Sequence, residues 1–153
     1  MTHLSSLLKP EHVVLEIKSG KKKAIIAELL ETLVKTGHVS DPAGLAAELM
    51  EREDLSSTGI GEGVAIPHTL SEIMRETVMA FGRSAKGLDF DAVDGAPVHL
   101  FFLIAGRPEA GIEHLRILSR LSRLLRDRAF REQLMRAGEP GEIPEIFEKS
   151  EDE

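Results

Sequence analysis

The run Val98-His99-Leu100-Phe101-Phe102-Leu103-Ile104-Ala105 is apolar at every position but one. A strand carries such a run only where both of its faces are buried, so helices must cover both sides of the sheet that holds it. The rest of the chain supplies them. Lys21 to Lys35 carries Ile25, Ile26, Leu29, Leu30 and Leu33 at helical spacing, and Gly37 stands where a C-cap belongs. Asp41-Pro42 is an N-cap and N1 pair, opening a second helix that runs to about Glu53 with Leu45, Leu49 and Met50 inward. Pro108 opens a long helix whose stripe of Ile112, Leu115, Leu118, Leu121 and Leu125 should face the core. Shorter helices follow over about 129–137 and 143–149. His12 to Ile17 and Thr77 to Gly82 read as strands, with turn signals at Lys86-Gly87 and Asp94-Gly95. Helix and strand interleave throughout, so the expected fold is α/β: a single domain with a mixed β-sheet flanked by helices on both faces.

A chain of 153 residues fits one domain, expected over 5–148, with 149–153 an acidic C-terminal tail ending in Glu151-Asp152-Glu153. The absence of cysteine excludes a disulfide framework, a thiolate metal site and a cysteine nucleophile, and it fits a reducing, cytoplasmic setting. The longest unbroken apolar run, Leu100 to Ala105, is far short of the ~20 residues that cross a bilayer, so neither membrane insertion nor a signal peptide is expected. With 19 Lys and Arg against 26 Asp and Glu, the net charge of −7 opposes binding to a phosphate backbone. Trp and Tyr are absent, which leaves little to stack on bases. Nucleic acid is therefore not an expected partner.

The chemistry concentrates in Ser57-Thr58-Gly59-Ile60-Gly61-Glu62-Gly63-Val64-Ala65-Ile66-Pro67-His68. Alternate glycines permit positive φ, and successive amides in such a turn can form an anion-binding nest. Taken alone, the stretch reads first as a tight connection too rich in glycine for a regular element. Its spacing matches neither the dinucleotide fingerprint nor the nucleotide-hydrolase phosphate loop. Pro67 stiffens the backbone before His68 and should take the chain out of the sheet with the imidazole at its mouth. A neutral imidazole keeps one lone pair for phosphorus or for a metal. Six histidines without His-x-x-x-His or His-Glu-x-x-His spacing argue against the metal. His114 belongs to the inner face of the long helix, either as a satisfied core histidine or near helix amides that suit a phosphate. Arg52 sits in the last turn of its helix, either as a solvated surface group or as a counter-charge.

Read together, Arg52-Glu53, the glycine stretch ending in Pro67-His68, Asp89 to Gly95 and Glu113-His114-Leu115 carry a resemblance. The chain resembles the IIA domains of the bacterial phosphoenolpyruvate-dependent phosphotransferase system, of the fructose/mannitol type that includes nitrogen-regulatory members. The resemblance implies that His68 takes a phosphoryl group on Nε2 from a small phosphocarrier, HPr or its nitrogen-branch relative. His68 would then pass it to a IIB protein of a sugar permease or hold it as a regulatory signal. It implies that His114 hydrogen-bonds the phosphoryl oxygens and that Arg52 neutralises their charge. Thr58, Gly59, Gly61, Glu62, Gly63 and Pro67 would support the phosphate pocket. Glu62 aligns with an acidic position of mannitol-type members, paired there with the arginine, where other members carry Asn. Thr69 follows the acceptor where a small Gly or Ala is frequent. No metal and no cofactor are expected beyond the transient phosphohistidine at His68.

Three readings follow: a phosphoryl relay toward a sugar permease, a regulatory module switched by its own phosphorylation, and a glycine-loop nucleotide-binding enzyme. The third predicts ATP binding independent of His68. Arg116, Arg120, Arg123, Arg126, Arg128, Arg131 and Arg136 place seven of eleven arginines in the last helices. They form either a solvated face or a basic docking stripe for an acidic partner.

Overall fold

The computed structural model describes residues 3–151. In chain order the elements are α1 (Leu4–Leu7), β1 (Val13–Val14), α2 (Lys22–Lys35), α3 (Pro42–Leu55), β2 (Gly59–Gly61), β3 (Val64–Ala65), β4 (His68–Leu70), β5 (Val78–Leu88), β6 (Val98–Gly106), α4 (Gly111–Leu125), α5 (Arg128–Arg136) and α6 (Glu142–Glu151). Single 3-10 turns precede β1 and α4. The strands form one mixed sheet in the order β1-β5-β6-β3-β2, with β4 paired to β6 in line with β3. This is the expected mixed α/β architecture.

β6 is the axis. It runs antiparallel to β5 and parallel to β3 and β4. Its side chains alternate between two cores, as a doubly buried strand must. Phe101, Leu103 and Ala105 join Ile25, Ile26, Leu29 and Leu30 of α2 and Leu45 and Leu49 of α3. Leu100, Phe102 and Ile104 join Ile117, Leu121 and Leu125 of α4, Phe130 of α5 and Phe147 of α6. Asp41 caps α3 as expected, its side chain accepting from the Gly44 amide at 3.0 Å with Pro42 in the first turn.

Several expectations need correction. The glycine stretch is regular: β2 and β3 form a hairpin whose two-residue turn, Glu62 and Gly63, has φ of 58° and 76°. A turn with both central residues at positive φ matches the twist of its flanking strands, and glycine is the residue that adopts it freely. Gly59 answers a different need, because a Cβ there would come within 2.7 Å of the Ala92 Cα. Nor does the chain leave the sheet at Pro67. β3 and β4 are one strand line interrupted at Ile66-Pro67, and β4 pairs His68 with Ile104. The proline costs the ladder a donor, while its carbonyl still accepts from Ile104.

Lys86-Gly87 is not a turn between elements but an irregularity inside β5, which runs on to Leu88 with Gly87 at φ 84°. Of the expected strand His12 to Ile17, only Val13 and Val14 pair in the ladder, and His12 closes a 3-10 turn. On α4 the inward stripe is His114, Ile117, Leu121 and Leu125, while Ile112 and Leu115 are 72% and 67% exposed. Residues 149–151 of the expected acidic tail belong to α6. Glu151 is the last residue of α6, its carboxylate accepting from the amides of Leu4 and Ser5 at 2.7 and 2.9 Å and pairing with Arg120 at 3.2 Å. Asp152 and Glu153 lie outside the described residues.

Candidate functional site

Parallel pairing puts His68 on the same face of the sheet as its partner Ile104, the face covered by α4. His114, in the first turns of α4, meets it there. The two imidazole rings lie 5.6 Å apart, centroid to centroid, tilted by 49°. His68 is half-buried, whereas His114 is 4% exposed.

The tautomer of His68 follows from one contact. Nδ1 lies 2.6 Å from the Ile66 carbonyl oxygen, which can only accept, so Nδ1 carries the proton. Nε2 is left with the lone pair. Burial lowers the pKa of His68 below its ordinary value; the Ile66 hydrogen bond opposes that, and the charge of Arg52 adds to the lowering. Burial also lowers His114, to about 4, helped by His68. Both rings are neutral at pH 7. Among the described residues His114 Nδ1 is buried without a hydrogen-bond partner, close to Gly106, where a Cβ would stand 3.7 Å away.

Arg52 reaches the site from the end of α3, and its Nη1 donates to the Ser56 carbonyl at 3.0 Å. The fork therefore folds over the terminus of its own helix. Thr58 is buried beside this end, and its carbonyl accepts from the Ile66 amide at 3.0 Å. Pro67, also buried, directly precedes His68. His68, His114, Arg52, Thr58 and Pro67 are thus brought together.

Gly61, Glu62 and Gly63 are not. Gly63 accepts from the amides of His99 and Leu100, whereas His68 pairs with Ile104. Four residues of strand separate those points, about 13 Å. Gly61, Glu62 and Gly63 thus form the far end of the hairpin, and Gly59 packs on Ala92. Glu62 does not pair with Arg52. It pairs with Arg131 at 3.2 Å across a groove of about 230 Å³ that His99 and Met135 also line.

The arginine stripe is partly spent within the fold. Arg131 also donates to the carbonyls of Leu125 and Arg126 at the end of α4; Arg120 pairs with Glu151, and Arg128 with Glu132. Arg116, Arg123 and Arg126 are exposed.

Sequence reading gave no role to Glu53, Lys22 or Asp91. Glu53 is 3% exposed, its carboxylate accepting from the Thr58 amide and hydroxyl and from Lys22 Nζ at 3.2 Å. Lys22 also pairs with Asp91 at 3.1 Å. Glu53 stood within the motif beside Arg52, a signal that could have drawn attention to it. Asp91 stood within Asp89 to Gly95, part of the same pattern, whereas no spacing in the chain announces Lys22.

Residues 6–150 match the family model of the phosphoenolpyruvate-dependent sugar phosphotransferase system, EIIA 2. The chain belongs to this family. Among its EIIA relatives, the fructose-specific EIIA component of Haloferax volcanii is 36% identical over 96% of this chain and 96% of its own length. The fructose-specific EIIABC component of Bacillus subtilis is 40% identical over 94% of this chain, which spans only 23% of that larger protein. The crystal structure of the nitrogen regulatory protein IIA-Ntr from Neisseria meningitidis superposes with a TM-score of 0.87 at 35% identity, covering 94% of this chain and 98% of that one. The enzyme IIA of the Escherichia coli mannitol system, solved in complex with phosphorylated enzyme IIB, gives a TM-score of 0.79 at 26% identity, covering 93% and 97%. This EIIA chain is therefore a member of a phosphocarrier family with both sugar-specific and nitrogen-regulatory relatives. Among the described residues, no helix is long and apolar enough to cross a membrane.

Proposed function

We propose that this EIIA chain is a phosphohistidine carrier. His68 Nε2 accepts a phosphoryl group from an HPr-like phosphocarrier and gives it up to a IIB protein. The observation that carries the reading is the contact between His68 Nδ1 and the Ile66 carbonyl, which leaves Nε2 the nucleophilic nitrogen beside His114. In the transfer, the Nε2 lone pair forms a P–N bond as the donor's P–N bond breaks, and that electron pair returns to the donor ring. Nδ1 keeps its proton, so the phosphorylated ring gains positive character that the Ile66 carbonyl stabilises.

The transition state is loose, with charge on the equatorial oxygens, so positioned donors do most of the catalytic work. Arg52 and His114 are the donors assigned here. Neither step calls on a cofactor other than the phosphohistidine itself.

A regulatory use of the same phosphorylation is the second reading, favoured by the likeness to the nitrogen regulatory protein over 94% of the chain. Incubation with phosphoenolpyruvate, enzyme I and HPr or its nitrogen-branch relative should place one acid-labile, base-stable phosphate on His68. The His68→Ala variant should take none, and label retained by that variant would refute the assignment. Onward transfer to a sugar-specific IIB protein separates the relay from the regulatory reading.

A further inference from the structure

Glu53 stands where a carboxylate is not wanted for helix stability. It lies in the last turn of α3, where the backbone dipole disfavours negative charge, and it is buried, which penalises an acid further. A buried pair with Lys22 does not by itself repay that desolvation, and an apolar pair of similar size often does as well. The carboxylate has a defined set of partners, however, and they lead to the acceptor ring.

Thr58 donates to Glu53 twice, from its hydroxyl and from its amide at 3.0 Å. The Thr58 carbonyl then takes the Ile66 amide at 3.0 Å, and the Ile66 carbonyl takes His68 Nδ1–H at 2.6 Å. Each contact leaves its residue one orientation. The flanks of Thr58 are held as well: Ser57 Oγ donates to the Phe90 carbonyl at 2.7 Å, and the Gly59 carbonyl accepts from Val93 at 2.9 Å. Lys22 ties the same carboxylate to Asp91 in that 89–95 segment.

We propose that Glu53 is a positioning residue for His68, acting through Thr58 and Ile66 to hold the imidazole as the Nδ1–H tautomer with Nε2 turned to the incoming phosphorus. The inference rests on the phosphocarrier reading for its consequence, but not for its geometry. Ile66 has no side-chain hydrogen-bonding group of its own, so the direction of its carbonyl depends on what holds the backbone on either side. Pro67 fixes one side and Thr58 the other. Loss of the Glu53 anchor leaves Thr58 held only through its flanks, which lets the Ile66 carbonyl turn and releases the proton on His68 to exchange between its two nitrogens.

The test uses Glu53→Gln and Thr58→Val in the full chain. Gln keeps the shape but turns an amide NH2, which cannot accept, toward Lys22 or Thr58. Val keeps the shape of Thr and removes the hydroxyl donor, so it decides the matter if Glu53→Gln fails to fold. The ring nitrogen shifts of His68, read by long-range proton–nitrogen NMR, report the tautomer without any phosphoryl transfer. Wild type should show the Nδ1–H form, and the variants a mixture with Nε2–H. Phosphoryl acceptance from phospho-HPr should fall about 10- to 100-fold in kcat with KM for the carrier unchanged, the scale of losing an orienting partner. Folded variants with wild-type tautomer and wild-type kcat would overturn the proposal. If wild type itself accepts no phosphoryl group, the phosphocarrier reading fails, and the tautomer measurement alone decides whether Glu53 orients His68.

Discussion

Burial of His114 makes stability depend on pH in a window set by that one ring. Its pKa falls from 6.5 to about 4 on folding, chiefly by desolvation and secondarily by His68. Between those values the unfolded chain binds a proton that the folded chain refuses, so stability falls as pH drops from about 6.5 and levels off below about 4. At 1.36 kcal/mol per unit, the contribution lost across the window is about 3 kcal/mol. His114→Gln removes the titrating group from both states. The substitution introduces its own constant offset, but the difference between wild type and variant should shrink by about 3 kcal/mol as pH is lowered from 7 to 4. Urea unfolding at half-unit pH steps, followed by circular dichroism, measures this directly. His12 and His68 are also lowered, chiefly by burial; His12 steepens both curves alike and cancels, whereas His68 faces His114 and leaves a smaller contribution in the difference. A wild-type-minus-variant difference that stays flat from pH 7 to 4 would show that the folded protein protonates His114 freely, and the neutral ring pair would have to be abandoned.

Arg52→Ala should slow phosphoryl acceptance by roughly 10²–10³ in rapid-quench assays, the scale of removing one preorganised donor. Arg52→Lys should recover little of it, because a point charge cannot replace the planar fork. Gly59→Ala should destabilise the fold by about 1–3 kcal/mol in thermal denaturation, since the new methyl meets the backbone of Ala92 at 2.7 Å.

The parts of the fold legible in the sequence are those whose signal is local. The doubly apolar β6 required helices on both faces, and the Asp41-Pro42 cap placed α3 because the cap is made within three residues. What was illegible is decided by partners far along the chain. Glycine is a poor strand former, so Gly59 to Gly61 showed no strand propensity, yet pairing with β3 makes it one. α1 is four residues without a side-chain cap, held in place by a carboxylate 147 positions away. On α4 two apolar stripes overlap at helical spacing; periodicity put His114, Leu121 and Leu125 inward but could not say that Ile117, rather than Ile112 and Leu115, completes the buried face.

The site divides the same way. His68 and His114 were named by motif, and the sheet register with the α4 stripe brings them together. Glu62 was matched to the wrong arginine, because its neighbour is set by the end of α4 rather than by anything near it in sequence. Glu53 was hidden in plain view. A carboxylate next to Arg52 looks like a surface ion pair, and only tertiary burial turns it toward Thr58.

The two helix ends at the site have opposite electrostatic character, and under the proposed phosphoryl transfer this gives Arg52 two tasks. α4 presents its N-terminus near His114, where the helix dipole favours an added dianion. α3 presents its C-terminus near Thr58, where the dipole opposes one. Phosphorylation adds about −1.5 to −2 charge, in a chain whose net charge is already −7, so compensation has to be local. Arg52 satisfies the Ser56 carbonyl with one donor, relieving its own helix end. The guanidinium has five donors in all, so four remain on the same rigid plane for the phosphoryl oxygens. An ammonium at this position has three donors around a single point and no fixed plane, so satisfying Ser56 pulls the charge away from the phosphoryl group instead of spanning both. For the proposed transfer, the requirement at position 52 is therefore reach in two directions at once, which a positive charge alone does not meet.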